Sequence, residues 1–149
     1  MSPMLPFGNT VVTLDGDPEC RELADRHYSR KTHGAALFMG PGRKIVLRDP
    51  AGTWLFAWRM SLLREDGQTG WECSIFRNES DRLSSEIILE CEEYVTGRKF
   101  TYINAKKIRS VNPGCCFKKA GWKKIGRSKG GLILLVKDQN PDLTSQKGA

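Results

Sequence analysis

The chain has 149 residues, a length typical of one domain, and 39% of them are hydrophobic, which suits a packed core and excludes a disordered chain. No apolar run approaches the roughly 20 residues that span a bilayer, and the N-terminus has no basic segment followed by an apolar one, so we expect a cytoplasmic protein without membrane contact. The five cysteines include no CxxC pair, which argues against a zinc ribbon, and their odd number argues against a disulfide framework.

The net charge of +7 is unevenly distributed along the chain. Residues 98–129 contain eleven Lys or Arg residues and no Asp or Glu. A block of one sign within a folded region attracts polyanions, and Tyr102, Phe117 and Trp122 add aromatic rings of the kind that stack on bases. The block favours a nucleic acid as partner, and a solvated face of a basic protein is the alternative.

Turn residues and hydrophobic periodicity predict the elements of the first half. They are an irregular N-terminus (1–9), a strand (9–14), a helix (17–28), a loop (29–43) and a β-hairpin (44–63). Asp17 is the expected N-cap of the helix, and Pro18 suits its first turn.

The second half continues the alternation of strands and helices. We expect a strand (71–79), a long helix (81–97), a strand (99–104), a short helix (112–122) and a final strand (130–138). Ser80 or Asp81 is the expected N-cap of the long helix, Gly97 its C-cap, and Gly121 the end of the short helix. Residues 10–138 then form a single α/β domain, followed by a frayed tail at 139–149. Its central, mostly antiparallel sheet has about six or seven strands, with helices on both faces.

Residues 26–30 are the densest group of reactive side chains. His27, Tyr28 and Ser29 combine an imidazole, a phenol and a hydroxyl at the end of the first helix. A histidine suits proton transfer near neutral pH, and His with Tyr suits iron better than magnesium. The alternative is an ordinary helix C-terminus, which favours cations.

The junction between the predicted strand at 71–79 and the long helix predicts an anion site, because backbone N–H groups at such a junction favour anions. Its candidate residues for a donor molecule are Arg77, Asn78, Glu79, Ser84 and Ser85. Arg77 adds a forked donor for carboxylate or phosphate. No glycine lies between Arg77 and Ser85, which argues against a Gly-rich diphosphate cradle. The alternative is ordinary helix capping.

Three segments together resemble a known family. RHYSR (26–30), IFRNES…LSSEII (75–88) and NPGCCFKKAGW (112–122) are similar to the phage Mu Mom family of DNA-modification proteins, which is related to the N-acetyltransferase (GNAT) fold. The resemblance covers residues 10–138. It implies a GNAT-like domain, and the predicted order of elements is also that of such a domain.

The resemblance also implies a function. Mom proteins hypermodify the exocyclic amine of adenine in phage DNA and so protect it from restriction, which implies a DNA-modifying transferase with iron and a small-molecule donor, in the cytoplasm of a bacterial host. His27 and Tyr28 match the family's His-Tyr pair, and Arg77 matches its Arg. Asn104 replaces an Asp and Phe117 a Tyr, which removes a carboxylate and a hydroxyl.

Nucleic-acid contacts are expected from the basic block and from the segment after the first helix. These residues are Arg30, Lys106, Lys107, Arg109, Phe117, Lys118, Lys119, Lys123 and Lys124. Two other functions remain open. One is a GNAT acyltransferase that uses acetyl-CoA or another acyl-CoA on a small amine or a protein, although the turn at 77–86 lacks the expected glycines. The other is a non-catalytic nucleic-acid-binding module.

Overall fold

The computed structural model describes most of the predicted domain. The described residues are 10–27, 36–39, 42–61, 68–107, 114–128 and 130–138. The predicted irregular N-terminus and frayed tail lie outside them, as do the predicted site residues Tyr28, Ser29, Arg30 and Arg109.

Within the described residues, the chain forms seven strands and three α-helices in a mixed α/β order. In sequence they are β1 (Val11–Thr13), α1 (Pro18–Asp25), β2 (Lys44–Arg48), β3 (Trp54–Ser61), β4 (Gly70–Asn78), α2 (Ser84–Glu92), β5 (Lys99–Ile103), α3 (Cys115–Lys119), β6 (Lys123–Arg127) and β7 (Ile133–Lys137). A 3₁₀ turn, Ala105–Lys107, follows β5. No helix in this part of the chain is long and apolar enough to cross a membrane.

All seven strands belong to one sheet, in the order β1-β2-β3-β4-β5-β7-β6. The β4–β5 pair is parallel and every other neighbouring pair is antiparallel, so the prediction of a mostly antiparallel sheet is confirmed. The sequence prediction missed β6. Lys123, Lys124 and Ile125 are all exposed on this outermost strand, so the strand lacks the alternation of apolar and polar residues that marks a half-buried one.

The start of α1 is as predicted, since the Asp17 carboxylate accepts a hydrogen bond from the Glu19 N–H at 2.8 Å and Pro18 occupies the first turn. The predicted start of α2 is wrong. Leu83 is its N-cap, without a side-chain hydrogen bond, and the helix ends at Glu92, well before the predicted cap at Gly97.

Gly121 ends α3 as predicted, in a Schellman motif. The Trp122 N–H donates to the Phe117 carbonyl and the Gly121 N–H to the Lys118 carbonyl, each at 3.0 Å. The rings of Phe117 and Trp122 make the accompanying apolar contact, with centroids 4.8 Å apart. The turn leads directly into β6, so the basic residues of α3 and β6 are neighbours in space as well as in sequence.

Buried residues that alternate along β3 belong to two different clusters. The side chains of Trp54, Phe56 and Trp58 pack with residues of α2 and α3. The side chains of Leu55 and Ala57 pack with residues of α1. Successive side chains of a strand point to opposite faces, so β3 contributes to an apolar layer on each face of the sheet.

Candidate active site

The parallel strands β4 and β5 mark the centre of the sheet. Their ladder joins Trp71 to Lys99 and Glu72 to Phe100, whereas β4 continues to Asn78 and β5 to Ile103. Beyond the ladder, the Thr101 hydroxyl still donates to the Cys73 carbonyl at 2.9 Å. Ligand sites of open sheets lie outside the carboxyl ends of such strands, where the neighbouring connections lead apart. The predicted residues Arg77 and Asn104 lie at these two carboxyl ends.

Arg77 belongs to an ion cluster with Arg26 and Glu79. The Arg26 guanidinium donates through Nε and Nη2 to the two Glu79 oxygens, at 2.7 and 3.0 Å. Arg77 donates through Nε to the same carboxylate and through Nη1 to the Arg26 carbonyl, at 2.8 Å. These bonds lower the pKa of Glu79 to about 2. The cluster joins the end of α1 to the end of β4 and carries one net positive charge.

His27 lies half-buried beside this cluster. Burial, and to a lesser degree the charge of Arg77, lower its pKa to about 4. The imidazole is therefore neutral at pH 7, where it can accept a proton but is not available as a proton donor. The structure thus brings together two of the predicted catalytic residues, His27 and Arg77, which are separated by 50 positions in the chain.

Asn78 organises the turn between β4 and α2. Its amide nitrogen donates to the Arg82 carbonyl at 2.8 Å and to the Ser84 hydroxyl at 3.0 Å, and its amide oxygen accepts the Ser80 N–H at 2.9 Å. These bonds explain why α2 begins later than predicted, since Ser80 is held in the turn. Asn78 and Ser84 are engaged with each other, and the half-buried Ser85 follows in the first turn of α2.

Asn104 follows β5 and is half-buried. Its side-chain oxygen accepts the Lys106 N–H at 3.2 Å, an Asx-type turn that leads into the 3₁₀ segment. It therefore shapes the loop at the carboxyl end of β5. Asn104 and Arg77 thus both lie at the carboxyl ends of parallel neighbouring strands.

Phe117 and Trp122, two predicted stacking groups, are core residues. Phe117 is 4% exposed and meets the Phe76 ring edge-on, with centroids 5.9 Å apart. Trp122 is 2% exposed and stacks on Trp58, and its indole N–H donates to Glu92 at 2.9 Å. Their rings hold α3 against the sheet and are not on the surface where a base would stack.

The exposed basic residues of α3 and β6, all of them predicted except Arg127, lie at one edge of the sheet. We call this group the basic edge: Lys118, Lys119, Lys123, Lys124 and Arg127, all exposed. Lys106, at the end of β5, is exposed as well, and the side chain of Lys107 is not among the described ones. Lys99, in contrast, is buried and donates to the Gly97 carbonyl at 3.0 Å. Not every cation of residues 98–129 is therefore exposed at the surface.

Residues that hold a metal are not evident in the described part of the chain, where no three His, Cys, Asp or Glu side chains form a suitable group. His27 offers a neutral imidazole, but Glu79 is held by two guanidinium groups whose charge would repel a cation. These described residues do not fit an iron site by themselves. Tyr28 lies outside the described residues, so the iron stays a prediction from the resemblance.

Four of the five cysteines are poor nucleophiles because they are shielded from water. All five are free thiols, and burial raises the pKa of Cys20 to about 12 and those of Cys73, Cys91 and Cys116 above the ordinary value. A thiol must ionise to attack, so these four side chains act as small apolar groups.

Two residues of the cluster and the basic edge were missing from the predicted site. Arg26 shares the Glu79 carboxylate with Arg77 across 53 positions of sequence, a separation that no local pattern reveals. Arg127 lies on the strand that the periodicity did not indicate.

Comparison with known proteins does not assign the chain to a family: neither the protein-family models, nor the curated proteins, nor the solved structures contain a match.

Proposed function

We propose that this protein is a transferase that modifies a base of DNA, in the manner of the Mom family, with the exocyclic amine of adenine as the acceptor. The observation that carries the proposal is the contact between the end of α1 and the end of β4. It sets the neutral imidazole of His27 beside the guanidinium group of Arg77 at the carboxyl end of a parallel strand pair. The basic edge supports a polyanion as the substrate.

The proposed fold is GNAT-like, with helices on both faces of the sheet. Two features support it: the order of the elements, and the two apolar clusters that take alternate residues of β3, one with α1 and the other with α2 and α3.

The site residues that the structure describes have separate proposed roles. As the amine bonds to the transferred group, the bond between that group and the rest of the donor breaks, and the rest of the donor leaves with the electron pair. His27 accepts the proton that the amine loses in this step, which its neutral state at pH 7 permits. Arg77, with Arg26, binds the carboxylate or phosphate of the donor, and the Glu79 carboxylate occupies that position without the donor. Asn104 shapes the loop beside the site at the carboxyl end of β5. Tyr28, Ser29 and the iron belong to the proposal through the resemblance alone, and no step here depends on them.

The test is expression in bacteria, followed by mass spectrometry of nucleosides from digested host DNA. We expect the wild-type protein to produce a heavier nucleoside whose mass identifies the added group. His27→Ala should not produce it, although its thermal unfolding should remain cooperative. A folded His27→Ala protein that still modifies DNA would refute the role of His27. DNA that stays unmodified when the culture expresses folded wild-type protein would favour a non-catalytic binding module.

A GNAT acyltransferase is the second candidate, and the start of α2 favours it. Leu83, the N-cap, makes no side-chain hydrogen bond, and the helix N-terminus favours the phosphates of an acyl-CoA. Acetyl-CoA at 100 times its dissociation constant would stabilise the fold by about 2.7 kcal/mol. A thermal shift with acetyl-CoA supports this candidate, and the same unfolding temperature at millimolar acetyl-CoA excludes it.

A further inference from the structure

The basic edge combines cations from two adjacent elements with a strand edge on which no other described strand pairs. β6 pairs with β7 on one side and is the last strand of the sheet. Among the described residues, no carboxylate pairs with Lys119, Lys123 or Lys124, and the chain has no acidic residue between Glu93 and Asp138. Within the part of the chain that the structure describes, the charges of these three lysines are therefore not balanced by a carboxylate.

The cations of β6 lie on both faces of the strand. Residues that pair across an antiparallel ladder share a face, so Lys123 lies on the face of Val136 and Lys124 on that of Leu135. A bulge at Ile125 shifts the register, and this side chain is 57% exposed. The charges thus surround the free edge rather than extend from one face.

Gly126 leaves the backbone of this edge accessible. A Cβ atom at this position would meet nothing within 4 Å, and its φ is not positive, so neither packing nor backbone conformation requires glycine there. Backbone N–H groups are common ligands of nucleic-acid phosphates, and a strand edge without a side chain admits a phosphate close to them.

The extent of the basic edge exceeds what protection of a strand edge requires. Lysines on an edge strand discourage pairing with other chains. Lys118 and Lys119, however, belong to α3 and extend the charge away from the strand. From Lys123 to Arg127 the strand spans about 13 Å at roughly 3.3 Å per residue. This length is close to the ~12 Å width of the DNA major groove, so the two ends can meet phosphates on opposite sides of a groove.

We propose that the basic edge is the surface on which double-stranded DNA docks, through its phosphate backbone and without base stacking. The proposal rests on the proposed function for its choice of DNA. Its choice of a duplex rests on the burial of Phe117 and Trp122: proteins that bind single strands stack exposed aromatic rings on the bases, and the large exposed hydrophobic side chains of the described residues are all aliphatic.

The test measures binding of a fluorescent 20-base-pair duplex of mixed sequence to the full chain, over a series of salt concentrations. K123Q/K124Q removes two charges of the basic edge. Two variants serve as controls. R21Q/R43Q removes one charge from α1 and one from the segment before β2, and K123R/K124R keeps the charge of the edge. Thermal unfolding checks that every variant is folded.

We expect K123Q/K124Q to weaken binding by roughly fivefold to tenfold per lysine at about 0.1 M salt, and to reduce the slope of log K against log salt by about 1.8. R21Q/R43Q and K123R/K124R should bind within about twofold of the wild type, because each keeps both phosphate contacts of the edge. A single strand of the same length should bind more weakly than the duplex.

The proposal fails if R21Q/R43Q weakens binding as much as K123Q/K124Q does, because net charge and not the edge would then decide affinity. It also fails if the wild type does not bind the duplex at low salt, or if the single strand or a duplex RNA binds more tightly than the duplex DNA. A further contradicting result would be competition by polyglutamate that is as strong as competition by unlabelled duplex of equal charge. The nucleoside assay is independent. Binding through the edge without a modified nucleoside refutes only the transferase, and a modified nucleoside with unchanged binding by K123Q/K124Q refutes only the docking surface.

Discussion

Glu79 and Glu90 both pair with arginine, but one carboxylate is partly exposed at the end of β4 and the other is buried in α2. The Glu79 side chain is 31% exposed and is shared by Arg26 and Arg77. The Glu90 side chain is 2% exposed, pairs with Arg82 at 2.6 Å and accepts the Thr10 hydroxyl at 3.2 Å. Water can replace a lost partner of Glu79, whereas a lost partner of Glu90 leaves a buried charge. Separating Glu79 from its guanidinium groups should therefore cost less free energy than separating Glu90 from Arg82.

The largest expected effect is on the buried pair. Arg82→Ala should lower the free energy of unfolding by about 2–3 kcal/mol, below the full value for a buried pair because the Arg82 side chain is 38% exposed. Arg26→Ala should cost less than about 1 kcal/mol, because its pair is solvated. Urea unfolding of both variants measures the difference.

A double variant separates the charge from the packing. Arg82→Met with Glu90→Leu removes both charges and should be more stable than Arg82→Ala, since no buried carboxylate remains. The contrast between the two regions is wrong if Arg82→Ala is no more destabilising than Arg26→Ala.

The next effect concerns pH and His27. Its pKa is about 4 in the folded chain, against an ordinary value of 6.5, so the unfolded chain is protonated first as pH falls. The stability that depends on the neutral imidazole is complete above pH 6.5 and is lost as pH falls to about 4. About 3 kcal/mol is the upper limit of this loss, and because solvent reaches the half-buried imidazole we expect a loss smaller than that of Arg82→Ala. His27→Gln should lose less stability in this window. Urea unfolding between pH 7 and pH 4 measures it.

Other groups do not obscure this difference. The lowered pKa values of Glu79 and Asp17 make their contributions disappear mainly below the window, as pH falls under the ordinary carboxyl values. His33 is present in both proteins and cancels. Equal pH profiles for the wild type and His27→Gln would show that the imidazole is not desolvated in the folded chain.

The smallest expected effect on stability is at Glu79. Glu79→Gln should change the free energy of unfolding by less than about 1 kcal/mol. It should also release the two guanidinium groups, so inorganic phosphate should raise the unfolding temperature of this variant more than that of the wild type. Glu86→Gln removes another exposed carboxylate as a control. An equal response of all three proteins to phosphate would show that Glu79 does not occupy an anion site.

The accuracy of the sequence predictions followed the range of the interactions involved. Asp17 capped α1 and Gly121 ended α3 as predicted, because a cap depends on residues a few positions apart. The start of α2 was misplaced because Asn78 binds Ser80 and Arg82 within the turn, a competition that the capping pattern does not reveal. β6 was missed because an exposed edge strand has no apolar face to produce a pattern.

For the candidate site, the sequence indicated the residue types but not their arrangement. His27 and Arg77 were predicted from their segments, and tertiary contacts place them together. Arg26, which completes the cluster, and the burial of Phe117 follow from packing between distant segments.

The sequence by itself determined the alternation of strands and helices, the local caps and the block of positive charge, because each is encoded by neighbours along the chain. Only the tertiary structure decided which charges are exposed, which are paired and which are buried. Lys99 is buried although it belongs to the same block as the exposed Lys123. The cost of moving a charge out of water depends on what packs around it, and in a sheet those neighbours come from strands far apart in sequence.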